Sequence, residues 1–175
     1  MPKAPKTVKF KAILTKPAAE SGWHFIPVEP KFGSRFEKKD GSRRVVCTIN
    51  GAETFQCALI PMGEIFAIIV NKAKRDKLRI SAGDKVSVEL TVDKSKYGLP
   101  MPEELQEVLN QDVEGDKLFH SLTAGKKRSM LYFIGKIKDV DKRIHAALTF
   151  IEHIKKNDGK IEYESLNNEL KRPIF

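Results

Sequence analysis

Apolar and polar residues alternate through much of the first half of this chain. In VKFKAIL, Val8, Phe10, Ala12 and Leu14 fall on one side and Lys9, Lys11 and Ile13 on the other, the period of a strand with one buried face. WHFIPV (23–28) reads as a second strand, with Pro27 placing it at an edge or a bulge. The charged, turn-rich run 31–44 reads as a loop. RVVCTI and TFQCALI read as a hairpin around NGAE. A two-residue Asn-Gly turn would set Ile49 opposite Ala52 and Cys47 opposite Thr54. A three-residue loop at Gly51–Glu53 instead pairs Ile49 with Phe55, Cys47 with Cys57 and Val45 with Leu59. A one-residue slip flips the buried face, so the second register is expected. EIFAIIV is apolar on both faces, as a strand covered on both sides would be, and NKAKRDKL suits a short helix. In AGDKVSVELTVD, Gly83 supplies the backbone angles of a sharp reversal and Asp84 accepts amide hydrogens in the turn. Val86, Val88, Leu90 and Val92 then point inward. About six strands on short connections predict a small antiparallel β-barrel, closed or partly closed.

The period changes after Pro100 and Pro102, and the expected division is a barrel domain over 1–97 and a helical region over 98–175. Leu105, Val108, Leu109 and Val113 recur at helical spacing, with Glu103 and Glu104 in the first turn where the helix dipole favours them. Phe119 and Leu122 mark a second short helix. Thr123 caps a third that carries Met130, Phe133, Ile134 and Ile137. A fourth, with Val140, Ile144, Ala147, Leu148, Ile151 and Ile154, stops at Asn157-Asp158-Gly159. The tail IEYESLNNELKRPIF has no clear period. The predicted class is α+β: a barrel followed by three or four helices.

Composition adds limits. With 41% hydrophobic and 31% charged residues, the 175-residue chain is an ordinary globular protein with enough apolar mass for a real core. No stretch approaches the ~18 consecutive apolar residues of a membrane span, and no apolar run of signal-peptide length follows the basic start, so a cytoplasmic address is expected. The net charge of +9 is uneven. Residues 1–97 hold 19 Lys/Arg against 10 Asp/Glu, whereas 98–175 hold 13 of each. A basic half invites anionic partners, although lysine-rich solvated surface explains the same count.

Candidate chemistry is sparse. His24, His120, His145 and His153 lie far apart without Cys or carboxylate at ligand spacing, and read as surface or rim histidines rather than metal ligands. There is no nucleophile elbow and no phosphate-loop pattern. Cys47 and Cys57 read as two small buried hydrophobes, a redox pair being the alternative. No cofactor or metal is expected, and no catalytic residue stands out. The candidate ligand or anion contacts are Trp23 and the basic cluster Lys126, Lys127, Arg128, Tyr132, Lys138 and Arg143; the structural turns are Gly51, Gly83 and Asp84. Residues 117–143 hold eight basic and two acidic side chains and residues 102–116 six acidic and none basic. An acidic helix packed beside a basic one is the preferred account, because internal complementarity fits the zero net charge of this half; an anion or nucleic-acid surface is the alternative.

The order W-x-F-x-P-V, V-x-C-T-I-N-G-x-x-F, an apolar strand ending V-N-K, a short charged helix and A-G-D-x-V-x-V-E-L-x-x-D resembles the bacterial domain-of-unknown-function family nineteen-oh-five over about residues 7–97. That resemblance implies a double-split β-barrel, similar in shape to AbrB-type transition regulators and some antitoxins. The C-terminal half resembles the bacteriocin-protection, YdeI or OmpD-associated (OmdA) family. Pro102, Leu105 and Leu109 open the pattern, and Phe119, Leu122, Arg128, Ile134, Lys138, Asp141 and Arg143 continue it. Ile137, Lys142 and the His145-Ala146 pair depart from it, the last standing where the family has two arginines. The resemblance implies a part in stress or antimicrobial-peptide protection without a defined activity.

Three functions follow as expectations. The first is a non-enzymatic binding or scaffold module in stress protection, with a protein or anionic ligand as partner. The second is nucleic-acid binding by the basic half. The third is a small-ligand binder or enzyme with a pocket where barrel and helices meet. Enough strands are present to close a barrel within one chain, so a monomer is expected.

Overall fold

A computed structural model of the chain describes residues 7–17 and 23–173. It divides into two compact units, one ending at Lys94 and one beginning at Ser95, and the architecture is α+β.

The first unit contains the strands β1 (Val8–Ile13), β2 (Phe25–Val28), β3 (Arg44–Ile49), β4 (Glu53–Ala58), β5 (Ile60–Met62), β6 (Ile65–Ile69) and β7 (Lys85–Val92). They form two antiparallel sheets, ordered β1-β7-β3-β4 and β2-β6-β5. A single unbroken ring, the closed form of the expected barrel, is therefore replaced by two sheets around one core. The sheets communicate at two places. Thr15, just past β1, exchanges both backbone hydrogen bonds with Phe25 of β2, each at 2.9 Å. The predicted strand TFQCALI bends at buried Leu59, so that its two parts, β4 and β5, belong to different sheets. Val45, Cys47, Val86 and Leu90 from one sheet pack with Ile26 and Ile68 from the other. Pro27 is tolerated because β2 lies at the edge of its sheet.

The hairpin register differs from the expected one. Ile49 faces Glu53, Cys47 faces Phe55 and Val45 faces Cys57. Asn50 (φ 54°) and Gly51 (φ 64°) make the Asn-Gly turn, closed by the Ala52 N–H on the Ile49 carbonyl at 3.0 Å. Ala52 is then an extra residue before the ladder resumes. That bulge shifts the pairing by one and returns Phe55 and Cys57 to the core side, where the hydrophobic pattern requires them. The parity of the expected register holds, but the partners move.

Among the described residues two α-helices belong to this unit. α1 (Pro30–Gly33), continued by a 3-10 turn over Ser34–Phe36, occupies the start of the expected loop. Pro30 presets the first helical φ, Phe32 stacks on Phe10 with ring centroids 5.1 Å apart, and Phe36 is buried. Apolar contact thus orders a segment that turn composition alone marks as a loop. α2 (Lys72–Leu78) is capped by Asn71, whose side chain accepts the Lys74 N–H at 2.9 Å. In the reversal before β7, Gly83 sits at φ 95° and the Asp84 carboxylate accepts the Ser81 N–H at 2.8 Å.

The second unit has five helices among its described residues: α3 (Glu103–Gln111), α4 (Val113–Ser121), α5 (Ala124–Gly135), α6 (Val140–Lys156) and α7 (Tyr163–Leu170). The fifth is drawn from the tail without a clear period; Ile174 and Phe175 of that tail lie outside the described residues. Asp112, Thr123 and Asp139 cap α4, α5 and α6, each accepting the backbone N–H of the third residue of its helix. Asp112 is extended (φ −126°, ψ 93°), which ends α3 and leaves Val113 72% exposed instead of on the expected stripe. Leu105, Phe119, Met130, Ile134, Ile151 and Ile154 fill the core. At its end, α6 is closed by the Gly159 N–H on the Ile154 carbonyl at 2.7 Å, with Gly159 at φ 81°.

Candidate functional site

The candidate contacts fall on different elements once folded. Trp23 belongs to the first unit and is 59% exposed just ahead of β2. Lys126, Lys127, Arg128 and Tyr132 lie on α5, with Lys126 and Tyr132 exposed; Lys136 sits over the Tyr132 ring at 5.4 Å. Lys138 is exposed in the connection to α6. Arg143 is committed internally. Its Nε and one terminal nitrogen donate to Glu104 Oε1, each at 2.9 Å, and its other terminal nitrogen donates to the carbonyls of Ile137 and Lys138 at 2.8 and 3.1 Å. It ties α6 to α3 and fixes the preceding connection.

Two other polar clusters are structural. His153 is fully buried, contrary to the expected rim position. The Glu162 N–H donates to its Nε2 at 2.9 Å, so the proton sits on Nδ1, which donates to Glu169 Oε2 at 2.9 Å. This pair of bonds fastens α7 to α6. In the second cluster the Tyr97 hydroxyl meets His120 Nε2 at 2.8 Å, while His120 Nδ1 meets the Asp116 carbonyl at 2.9 Å. The Tyr97 ring also packs edge-on against Phe119. The three groups anchor the segment that leads into α3.

Cys47 is buried and Cys57 half-buried, both free. The neighbouring Cys57 thiol, and burial after it, push the Cys47 thiol well above its ordinary pKa, the reverse of what a reactive thiolate needs. Among the described residues no three His, Cys, Asp or Glu side chains gather as metal ligands would, and no helix is long and apolar enough to cross a membrane.

What the sequence does not single out is a groove between α3 and α6. It encloses about 530 Å³. Its floor includes Val108, Ile144, Leu148 and Ile151, of which Ile144 is 40% and Leu148 49% exposed. Among the described residues its walls carry five carboxylates and no Lys or Arg: Glu103, Glu104, Glu107, Asp112 and Glu152. The Arg143 hydrogen bonds hold Glu104 below the usual carboxylate range. Asp112 is held low first by the Gly115 backbone N–H and then by Lys155, whose ammonium lies 3.0 Å away. Among the described residues Glu103 and Glu107 form no ion pair, Glu107 only accepting from Gln111 Nε2 at 2.6 Å. The signal in the sequence was the apolar stripe of α6. It is wider than one buried face needs: Ala147, Ile151 and Ile154 go inside, while Val140, Ile144 and Leu148 remain outside.

These paired groups carry a pH dependence of stability. Asp112 and Glu104 are depressed below the unfolded values of 3.8 and 4.5, so their contribution is present above those values and lost as pH falls through the folded ones. Lys155 is raised above 10.5, so its contribution is present below that value and lost as pH rises through the folded one. The helical far-ultraviolet signal is therefore expected to melt progressively earlier on acidification below about pH 4.5. Asp112→Asn keeps the cap but not the charge, and flattens that dependence; equal slopes for the two proteins would refute the assignment.

Residues 10–90 match the family model for a domain of unknown function, DUF1905. Residues 99–157 match the model described as bacteriocin-protection, YdeI or OmpD-associated (OmdA). The chain joins a DUF1905 segment to an OmdA segment. Comparison with curated proteins finds no match. The OmdA match spans α3 to α6, groove included, and ends before α7.

Proposed function

We propose that this DUF1905–OmdA protein is a non-catalytic binding module acting in bacteriocin or stress protection, and that the α3–α6 groove is its working face. One observation carries the reading: Ile144 and Leu148 stand half-exposed on the floor of a groove in the OmdA segment. Large aliphatic side chains left in water one helical turn apart on a concave surface suit a partner that covers them. The family description supplies the process, and the groove supplies a place for a macromolecular contact.

The test is complementation. Sensitive bacteria lacking the protein receive either the wild type or the double variant Ile144→Ser, Leu148→Ser, and are challenged with a bacteriocin. Wild type is expected to raise survival at least about tenfold over the variant, while both proteins melt within a few degrees of one another, because surface substitutions change stability little. Equal survival at equal expression would reject the groove as the working face.

A further inference from the structure

We infer that the occupant of the α3–α6 groove is a cationic amphipathic helix of about two to three turns, a deepening that rests on the groove being the working face. Three observations converge. The first is length. From Glu103 to Gln111 along α3, and from Ile144 to Glu152 along α6, each wall extends about 12 Å at 1.5 Å per residue, the rise of two helical turns. An incoming helix presenting apolar residues at i, i+3 or i+4 and i+7 would match the Ile144–Leu148 floor in spacing.

The second is the sign of the walls. Five carboxylates line a groove with no basic residue, and Arg143 and Lys155 at its borders already answer Glu104 and Asp112. Among the described residues Glu103 and Glu107, one turn apart on the α3 wall, are left without an ion pair, and Glu152 on the opposite wall only shares Lys155 at 3.4 Å. Lysines flanking the apolar face of an incoming helix would meet carboxylates on both sides. The third is context. Residues 98–175, the half that holds the groove, carry 13 basic and 13 acidic side chains, so attraction to a cationic ligand comes from the local concentration of carboxylates and not from net charge. An anionic ligand finds no cation in the described walls. A second copy of the chain would have to bring its own positive field against itself.

The full-length protein is titrated with fluorescein-labelled helical peptides of about 18 residues that share one leucine face and differ only on the flanks, in Lys, Gln or Glu. The Lys peptide is expected to bind at least about tenfold more tightly than the Gln peptide, and the Glu peptide not at all. Its affinity is expected to fall at least about fivefold between ~50 and ~500 mM salt. Glu103→Gln, Glu107→Gln, Glu152→Gln is expected to erase the preference for Lys while keeping the Gln-peptide affinity. Lys and Gln peptides binding equally, both lost in the Ile144→Ser, Leu148→Ser variant, would overturn the cationic occupant and keep the groove. Binding of no peptide, or binding indifferent to that double variant, would overturn both. A mass that doubles with concentration, and returns to monomer in the same variant, would overturn the peptide in favour of a second copy.

Discussion

His153→Ala is expected to cost the helical unit about 3 kcal/mol and to free α7 from α6. The side chain is fully buried and spends both ring nitrogens on α7 and the turn before it, Nε2 accepting from the Glu162 N–H and Nδ1 donating to Glu169. Alanine leaves a cavity. It also leaves a backbone donor and a mostly buried carboxylate without their partner, and such orphaned groups cost more than the bonds they lose. His153→Phe separates the two effects. Phenylalanine is somewhat larger than histidine and neither donates nor accepts, so the lost hydrogen bonds, with some overpacking, are expected to hold its recovery below half the loss. Chemical denaturation followed by helical circular dichroism reads the result, while fluorescence of Trp23, the single tryptophan, reports the first unit independently. Full recovery by phenylalanine would show that packing, not the hydrogen-bonded pair, holds α7.

Such a histidine could not have been found by reading along the chain. His153 lies among the polar residues near the end of α6, and its partners stand 9 and 16 positions later in a tail without a readable period. Period reveals which face of an element is buried; it does not reveal which distant carboxylate arrives there. Val86, Val88 and Leu90, by contrast, were legible because a strand has only two faces, and all three are buried. The hairpin shows the boundary between the two cases. Alternation specified that Cys47, Phe55 and Cys57 share a side, but the single-residue bulge at Ala52, which decides the partners, conserves that parity and leaves no trace in the pattern.

The candidate contacts follow the same logic. Arg143 was readable as part of a basic run, yet its use depends on Glu104, 39 positions earlier, and on two carbonyls in the preceding connection. The groove was half-legible. A stripe from Val140 to Ile154 is too broad for one buried face, and that surplus is visible in the sequence. Which side of the stripe stays wet depends on where α3 crosses α6, and the carboxylates of that wall were readable as an acidic helix with a favourable first turn, not as the lining of a groove.

That crossing leads to the second large effect. Gly115→Val is expected to destabilise the helical unit by about 3 kcal/mol and Gly115→Ala by about 1–2. Glycine inside a helix ordinarily weakens it, and alanine there would normally help by about 1 kcal/mol. Gly115, in the first turn of α4, is buried, and a β-carbon built on it runs into the Ile151 side chain and lies 2.9 Å from the capping carboxylate of Asp112. Neither neighbour yields easily. Ile151 is β-branched and buried on α6, and Asp112 is held by the Gly115 N–H at 2.8 Å and by Lys155 at 3.0 Å. Relief therefore requires α4 to move off α6, which opens the core and pulls the Asp112–Lys155 link on the groove wall. The double variant Gly115→Ala, Ile151→Ala tests the cause: removing the opposing branch is expected to make the alanine at 115 neutral or stabilising against the Ile151→Ala background. If Gly115→Ala still destabilises there by its original amount, the close approach of α4 to α6 is not what the glycine serves.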